Sequence, residues 1–157
     1  MAENQQPQFA LQRLYIKDAS FEAPNSPLAF TKEWQPEIKL DLNSGARKLD
    51  DTHYEVFIKV TVTATNADET AFLVELVQAG LFAMVNIPEE QMKPMLGAMC
   101  PNILFPYLRE SIDSLVVKGG FPALMLAPIN FDALYQQRAA QEAAQQAAQA
   151  EAPQATH

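Results

Sequence analysis

His53-Tyr54-Glu55-Val56-Phe57-Ile58-Lys59-Val60-Thr61-Val62-Thr63-Ala64-Thr65 alternates with a period of two along its whole length. Tyr54, Val56, Ile58, Val60 and Val62 fall on one side, and Glu55, Lys59, Thr61 and Thr63 on the other. Such a run, rich in β-branched residues, predicts an antiparallel strand with one buried face. Upstream, Glu37 to Asn43 repeats the pattern: Ile38, Leu40 and Leu42 oppose Glu37, Lys39 and Asp41. The two runs are joined by a polar connection through Asn43-Ser44-Gly45 and Asp50-Asp51. Downstream, the turn Asn66-Ala67-Asp68-Glu69 leads to a third run with apolar residues on both sides. Phe72, Val74, Leu76 and Phe82 lie on one side, and Leu73, Val77 and Leu81 on the other. Two apolar faces need two covers, supplied either by an ordinary two-layer core or by a second subunit. A fourth strand, with looser alternation, is expected from Phe9 to Glu22. There Leu11, Tyr15, Ala19 and Phe21 are assigned to one face, and Leu14, Ile16, Asp18 and Glu22 to the other. The turn Pro24-Asn25-Ser26-Pro27 closes it, because proline bars helix and removes ladder donors.

Helical signals come after the strands. Pro88 suits a first helical position, with Glu89 and Glu90 favourably placed for the helix dipole. Pro94 and Pro101 predict that this first helix is short or broken. Leu104, Leu108, Ile112 and Leu115 recur at helical spacing between Asn102 and Lys118, and Gly119-Gly120 supplies a stop. Pro106 is expected to kink or loosen the start of that helix. The apolar segment Phe121–Ile129 is bracketed by prolines and reads as an extended connection that lies against something. Asn130 can cap a last helix beginning at Phe131. Strands succeeded by helices, without alternation, give an α+β class. The expected organisation is a flexible N-terminus over residues 1–8, one domain over 9–138, and an Ala/Gln-rich tail, frayed or disordered, over 139–157.

Composition narrows the function. Hydrophobic residues make up 48 % and charged residues 19 % of 157, so the chain can bury a core. Eleven basic residues against 19 acidic give a net charge of −8. That balance argues against nucleic acid or an anionic membrane as the main partner, and suits either solubility or a basic partner. The N-terminus is polar and carries no signal-peptide pattern, and no apolar run approaches the roughly 18 residues of a membrane span. A cytoplasmic, soluble protein is expected. Cys100, the single cysteine, lies in an apolar stretch and reads as a buried structural thiol rather than a nucleophile. With two histidines, His53 and His157, a zinc site lacks ligands. No glycine-rich phosphate loop or nucleophile elbow is present. Neither catalysis, nor ATP binding, nor a cofactor is supported.

What remains is an apolar surplus: Trp34, the Phe121–Ile129 segment, Phe131, Leu134, Tyr135 and six methionines. Methionine and aromatic side chains adapt to varied apolar partners. In this setting Tyr15-Ile16-Lys17-Asp18-Ala19-Ser20-Phe21-Glu22-Ala23-Pro24-Asn25 and Trp34-Gln35-Pro36-Glu37-Ile38-Lys39-Leu40-Asp41-Leu42 become recognisable. So do Tyr54-Glu55-Val56, Glu69-Thr70-Ala71-Phe72-Leu73, Cys100-Pro101-Asn102-Ile103-Leu104-Phe105-Pro106-Tyr107 and Leu126-Ala127-Pro128-Ile129-Asn130-Phe131-Asp132-Ala133-Leu134. In these stretches, which span most of residues 11–135, the chain resembles the SecB family of bacterial protein-export chaperones.

The resemblance implies a four-stranded antiparallel sheet with helices on one face, assembled as a homotetramer that is a dimer of dimers. It implies an ATP-independent chaperone that binds unfolded preproteins, keeps them competent for translocation and delivers them to the SecA ATPase. Matched residue by residue, it places SecA docking on Asp18, Glu22, Leu73 and Glu75, and the subunit interface on Val74, Leu76 and Gln78. Asp18 and Glu22 would share a face about 13 Å apart, at ~3.3 Å per residue. The client groove is assigned, from the family and from expected exposure together, to Trp34, Leu40, Leu42, Phe121, Leu124, Leu126, Phe131 and Tyr135. The Ala/Gln tail matches no family motif. A related chaperone dedicated to a single partner, such as a toxin–antitoxin system, is the alternative. A small-molecule enzyme would need convergent polar groups that the sequence does not offer.

Overall fold

The structure, a computed structural model, describes residues 6–151. Four strands form one antiparallel sheet: β1 (Gln8–Glu22), β2 (Glu37–Lys48), β3 (His53–Asn66) and β4 (Glu69–Val85), in the order β1-β4-β3-β2. A short 3-10 turn, Leu28–Thr31, interrupts the crossover from β1 to β2. Three α-helices complete the described residues: α1 (Glu89–Pro94), α2 (Cys100–Lys118) and α3 (Phe131–Glu151). The α+β class and the four-stranded sheet expected from the sequence are therefore present.

Alternation in β3 and β4 does what period-two patterning requires. Val56, Ile58, Val60 and Val62 in β3 and Phe72, Val74, Leu76 and Phe82 in β4 are fully buried on one face. There they meet Leu104, Leu108, Ile112 and Val116 of α2 in a single core. The last inward position of α2 is Val116; Leu115, expected from the sequence, is only half-buried. Gly80 permits this close approach, since a Cβ there would stand 3.0 Å from Leu104 Cδ2 and Leu11 Cδ1. The opposite face of β4 carries Leu73, Val77 and Leu81, half-buried and separated by Glu75 and Ala79. One layer of helix thus covers one side of the sheet and leaves the other open.

In β1 the expected faces need correction. Register shifts fall between Leu11 and Arg13 and between Ile16 and Asp18. Each shift adds a residue and inverts the parity of the positions beyond it. Leu14 and Ile16 therefore point to the helix side with Leu11, Ala19 and Phe21, while Tyr15 joins Asp18 and Glu22 on the open face. The loose alternation in the sequence was the mark of these bulges.

The prolines act as expected on α1, which ends at Pro94 after six residues. A π-helical turn, Met95–Met99, then joins it to α2. Helix α2 continues through Pro106 without ending, its N–H loss falling within the first two turns. The segment from Phe121 to Asn130 is neither helix nor strand, and Asn130 Oδ1 accepts the Ala133 N–H at 3.0 Å as an N-cap. Helix α3 runs to Glu151. Its first turns are pinned by Phe131, Leu134 and Tyr135, and a helix already nucleated extends readily through alanine. The expectations for residues 1–5 and 152–157 lie outside the described residues, and Gln8 already belongs to β1.

Candidate functional site

The two faces of the sheet are chemically different. On the helix side, β2 presents Ile38, Leu40 and Leu42 in register with buried Ala64, Val62 and Val60. Helix α2 packs over β3 and β4 and makes no comparable contact with β2. Ile38 is left 42 % exposed and Leu40 37 % exposed, beside an already buried floor. This open apolar row is the centre of a groove.

One end of the groove is aromatic. The Trp34 ring lies 5.4 Å from Phe121 and 6.4 Å from Phe72, and Phe30 lies 5.2 Å from Phe121. The other end is a small hollow lined by Leu42, Gly97, Phe131, Leu134 and Tyr135. It opens towards a cleft of about 550 Å³ between α3, the end of β2 and the π-helical turn. Gly97 lets α3 sit down here, since a Cβ would stand 2.5 Å from the Tyr135 ring. Of the eight residues assigned to the groove, Trp34, Leu40, Leu42, Leu124, Leu126 and Tyr135 retain exposed surface. Phe121 and Phe131 are only 5 % and 2 % exposed, so they support the groove from within the core instead of lining it.

On the open side, all four residues assigned to docking lie on one surface. Asp18 pairs with Val77 and Glu22 with Leu73, while Ser20 pairs with Glu75. The four therefore occupy adjacent strands about 5 Å apart. Glu75 Oε1 accepts from Lys59 Nζ at 3.2 Å and Thr61 Oγ1 at 3.1 Å. These bonds, that of Lys59 foremost, hold its carboxyl below the usual range. The patch is thus acidic at β1 and locally neutralised at β3. Further along the same face, Glu55 is 6 % exposed and accepts from Lys17 Nζ at 2.8 Å and from the Tyr15 hydroxyl.

The three residues assigned to the subunit interface are inside the chain. Val74 and Leu76 have no exposed surface and Gln78 has 3 %. Gln78 Nε2 donates to the Tyr15 carbonyl at 3.1 Å, and its Oε1 has no partner among the described residues. Cys100 is fully buried, which pushes its thiol up to about 12.

Residues 2–142 match the family model described as preprotein translocase subunit SecB. The chain belongs to the SecB family. The protein-export protein SecB of Marinobacter nauticus is 55 % identical over 146 residues, covering 87 % of this chain and 88 % of that protein. Its counterpart in Pseudomonas paraeruginosa is 56 % identical over 141 residues, covering 89 % and 86 % respectively. Among solved structures, a SecB-like chaperone of Mycobacterium tuberculosis, in complex with a peptide from an antitoxin, matches with a TM-score of 0.64. That match covers 77 % of this chain and 90 % of the other at 16 % identity, a likeness of fold. SecB is a chaperone family and not an enzyme family. No helix of the described residues is long and apolar enough to cross a membrane.

Ile38 and Phe30, 42 % and 50 % exposed beside the candidate groove, were not among the residues assigned from the sequence. Ile38 could have been found, because it continues the alternation of Leu40 and Leu42. Phe30 could not: it sits in a short turn with no periodicity.

Proposed function

We propose that this chain is an ATP-independent, cytoplasmic chaperone that holds unfolded preproteins in the groove beside β2 and hands them to SecA on the opposite face of the sheet. The observation that carries this reading is the contrast between the faces: an uncovered apolar row at Ile38, Leu40 and Leu42, and an open face bearing Asp18, Glu22, Leu73 and Glu75. An extended client can lay apolar side chains on the first without any nucleotide. A basic segment of SecA can meet the second, and the client passes on by proximity in the docked complex. The identity above 50 % to proteins named for export favours this role over service to one dedicated partner.

The reading includes a homotetramer built as a dimer of dimers. Since Val74 and Leu76 are closed over by α2, they act on assembly through the seating of that helix. The half-open hollow of about 240 Å³ between β1 and α2, lined by Ile16, Ala19 and Leu115, supports an interface there.

The test begins with refolding of an unrelated denatured protein, without ATP, in the presence of stoichiometric chaperone. Delay is expected. Leu40→Ser should reduce the delay while SecA binding stays intact, and Glu75→Lys should do the reverse. Equal loss of both activities in either variant would refute the separation of sites.

A further inference from the structure

The connection between α2 and α3 is held by one carboxylate. Asp113 Oδ1 accepts the Leu124 N–H at 3.0 Å and the Met125 N–H at 3.3 Å. Two successive backbone N–H groups converge on one anion only where the chain curls out of the extended form, as in an anion-binding nest. The curl is visible at Met125, whose φ of 49° is left-handed, a conformation unfavourable for any side chain but glycine. Met125 is also the most exposed large apolar residue of the described chain, at 79 %. Its neighbours Leu124 and Leu126 turn inward against the core. Asp113 stands four residues after Arg109 on α2, so both face the same flank of the helix. The two border a hollow of about 400 Å³ together with Met125, Leu126 and Pro128.

Leu124 and Leu126, on either side of Met125, pack against the core, while Met125 itself does not. The internal anion offsets the left-handed turn, and the result is an apolar, adaptable side chain held in water.

We propose that Asp113 is a positioning residue for client binding: its carboxylate fixes the connection in the curled form that displays Met125 as a client contact. This rests on the groove reading and adds to it a residue on α2 that touches no client. In the curled form, Met125 stands at the rim of the hollow it shares with Arg109 and Asp113, where its thioether can accept client side chains of varied shape.

Amide hydrogen exchange and affinity for a permanently unfolded, carboxymethylated polypeptide, both on the full chain without nucleotide, test it. In Asp113→Ala the amides of Leu124 and Met125 should exchange about tenfold faster, the scale of one lost charge-assisted hydrogen bond, while those of β3 stay unchanged. Client affinity should fall several-fold. Asp113→Asn, which keeps the acceptor oxygen, should restore most of both. Met125→Gly relieves the backbone and should keep slow exchange while still weakening the client; Met125→Leu should bind as the parent does. Unchanged exchange in Asp113→Ala overturns the proposal outright. Faster exchange with unchanged client affinity also overturns it, as does full affinity in Met125→Gly. Leu40→Ser, measured alongside, tells which idea failed: if it too is silent, the groove itself is misplaced.

Discussion

Glu55 is a carboxylate that folding has taken almost out of water, at 6 % exposure, and placed among Lys17, Tyr15 and, at 3.8 Å, Arg47. The Lys17 bond foremost, then that of Tyr15, holds its carboxyl below the usual range. Burial first, and Glu55 second, push the Tyr15 hydroxyl up to about 12, so it remains a donor at neutral pH. A depressed carboxyl contributes stability that is present above its unfolded value and is lost as pH falls through the folded one. Glu55→Gln should therefore cost about 1–3 kcal/mol at pH 7, the range for a hydrogen bond to a buried charge. The difference should shrink progressively as pH drops below about 4.5. Urea unfolding of parent and variant at several pH values and one protomer concentration checks both statements. A difference that persists unchanged in acid would mean the effect is packing and not charge.

At the scale of elements, α3 is two different objects in one helix. Its first turns dock through Phe131, Leu134 and Tyr135, while every described residue after Tyr135 is exposed. Gly97→Ala should lift the docked part, because the new methyl would meet the Tyr135 ring at 2.5 Å. A cost of about 1–3 kcal/mol is expected from overpacking, with faster hydrogen exchange in α3 and the π-helical turn and little change in β3 or β4. Ending the chain after Arg138 should leave unfolding stability within about 1 kcal/mol of the parent, since the described side chains it removes, 139–151, are exposed. These elements also show what a sequence can convey. The strict alternation of β3 stated its register, because one buried face leaves no freedom to slip. In β1 two bulges scrambled the parity, and only pairing with β4 could reveal which side Tyr15 and Ile16 take. The length of α3 was missed because Ala/Gln composition offers no packing signal, while its helicity is inherited from an anchored first turn. The groove was partly legible: Leu40 and Leu42 came from alternation, whereas burial of Phe121 and Phe131 depends on Phe72, Trp34 and Phe105, distant in sequence.

For the whole molecule, the sheet is a partition. Leu40 and Glu75 point to opposite sides of it. On the proposed function, effects on client binding and on SecA binding should therefore be independent. The double variant Leu40→Ser/Glu75→Lys should show the product of the single-variant losses to within about twofold, measured as client affinity and SecA affinity separately. A large departure would indicate that the sheet transmits occupancy from one side to the other.

The bulges of β1 bear on a hazard peculiar to such a protein. An edge strand offers a row of unpaired amides and carbonyls on which a stray chain can crystallise into cross-β growth. A molecule that keeps company with unfolded chains meets that risk continually. In β1 the in-step stretches are Gln8–Leu11, Arg13–Ile16 and Asp18–Glu22, no longer than five residues. Each falls short of the about six or seven residues from which a steric zipper is built. The β1 margin of the sheet is thereby a poor seed, so chains that come to the sheet find no long regular template along that edge.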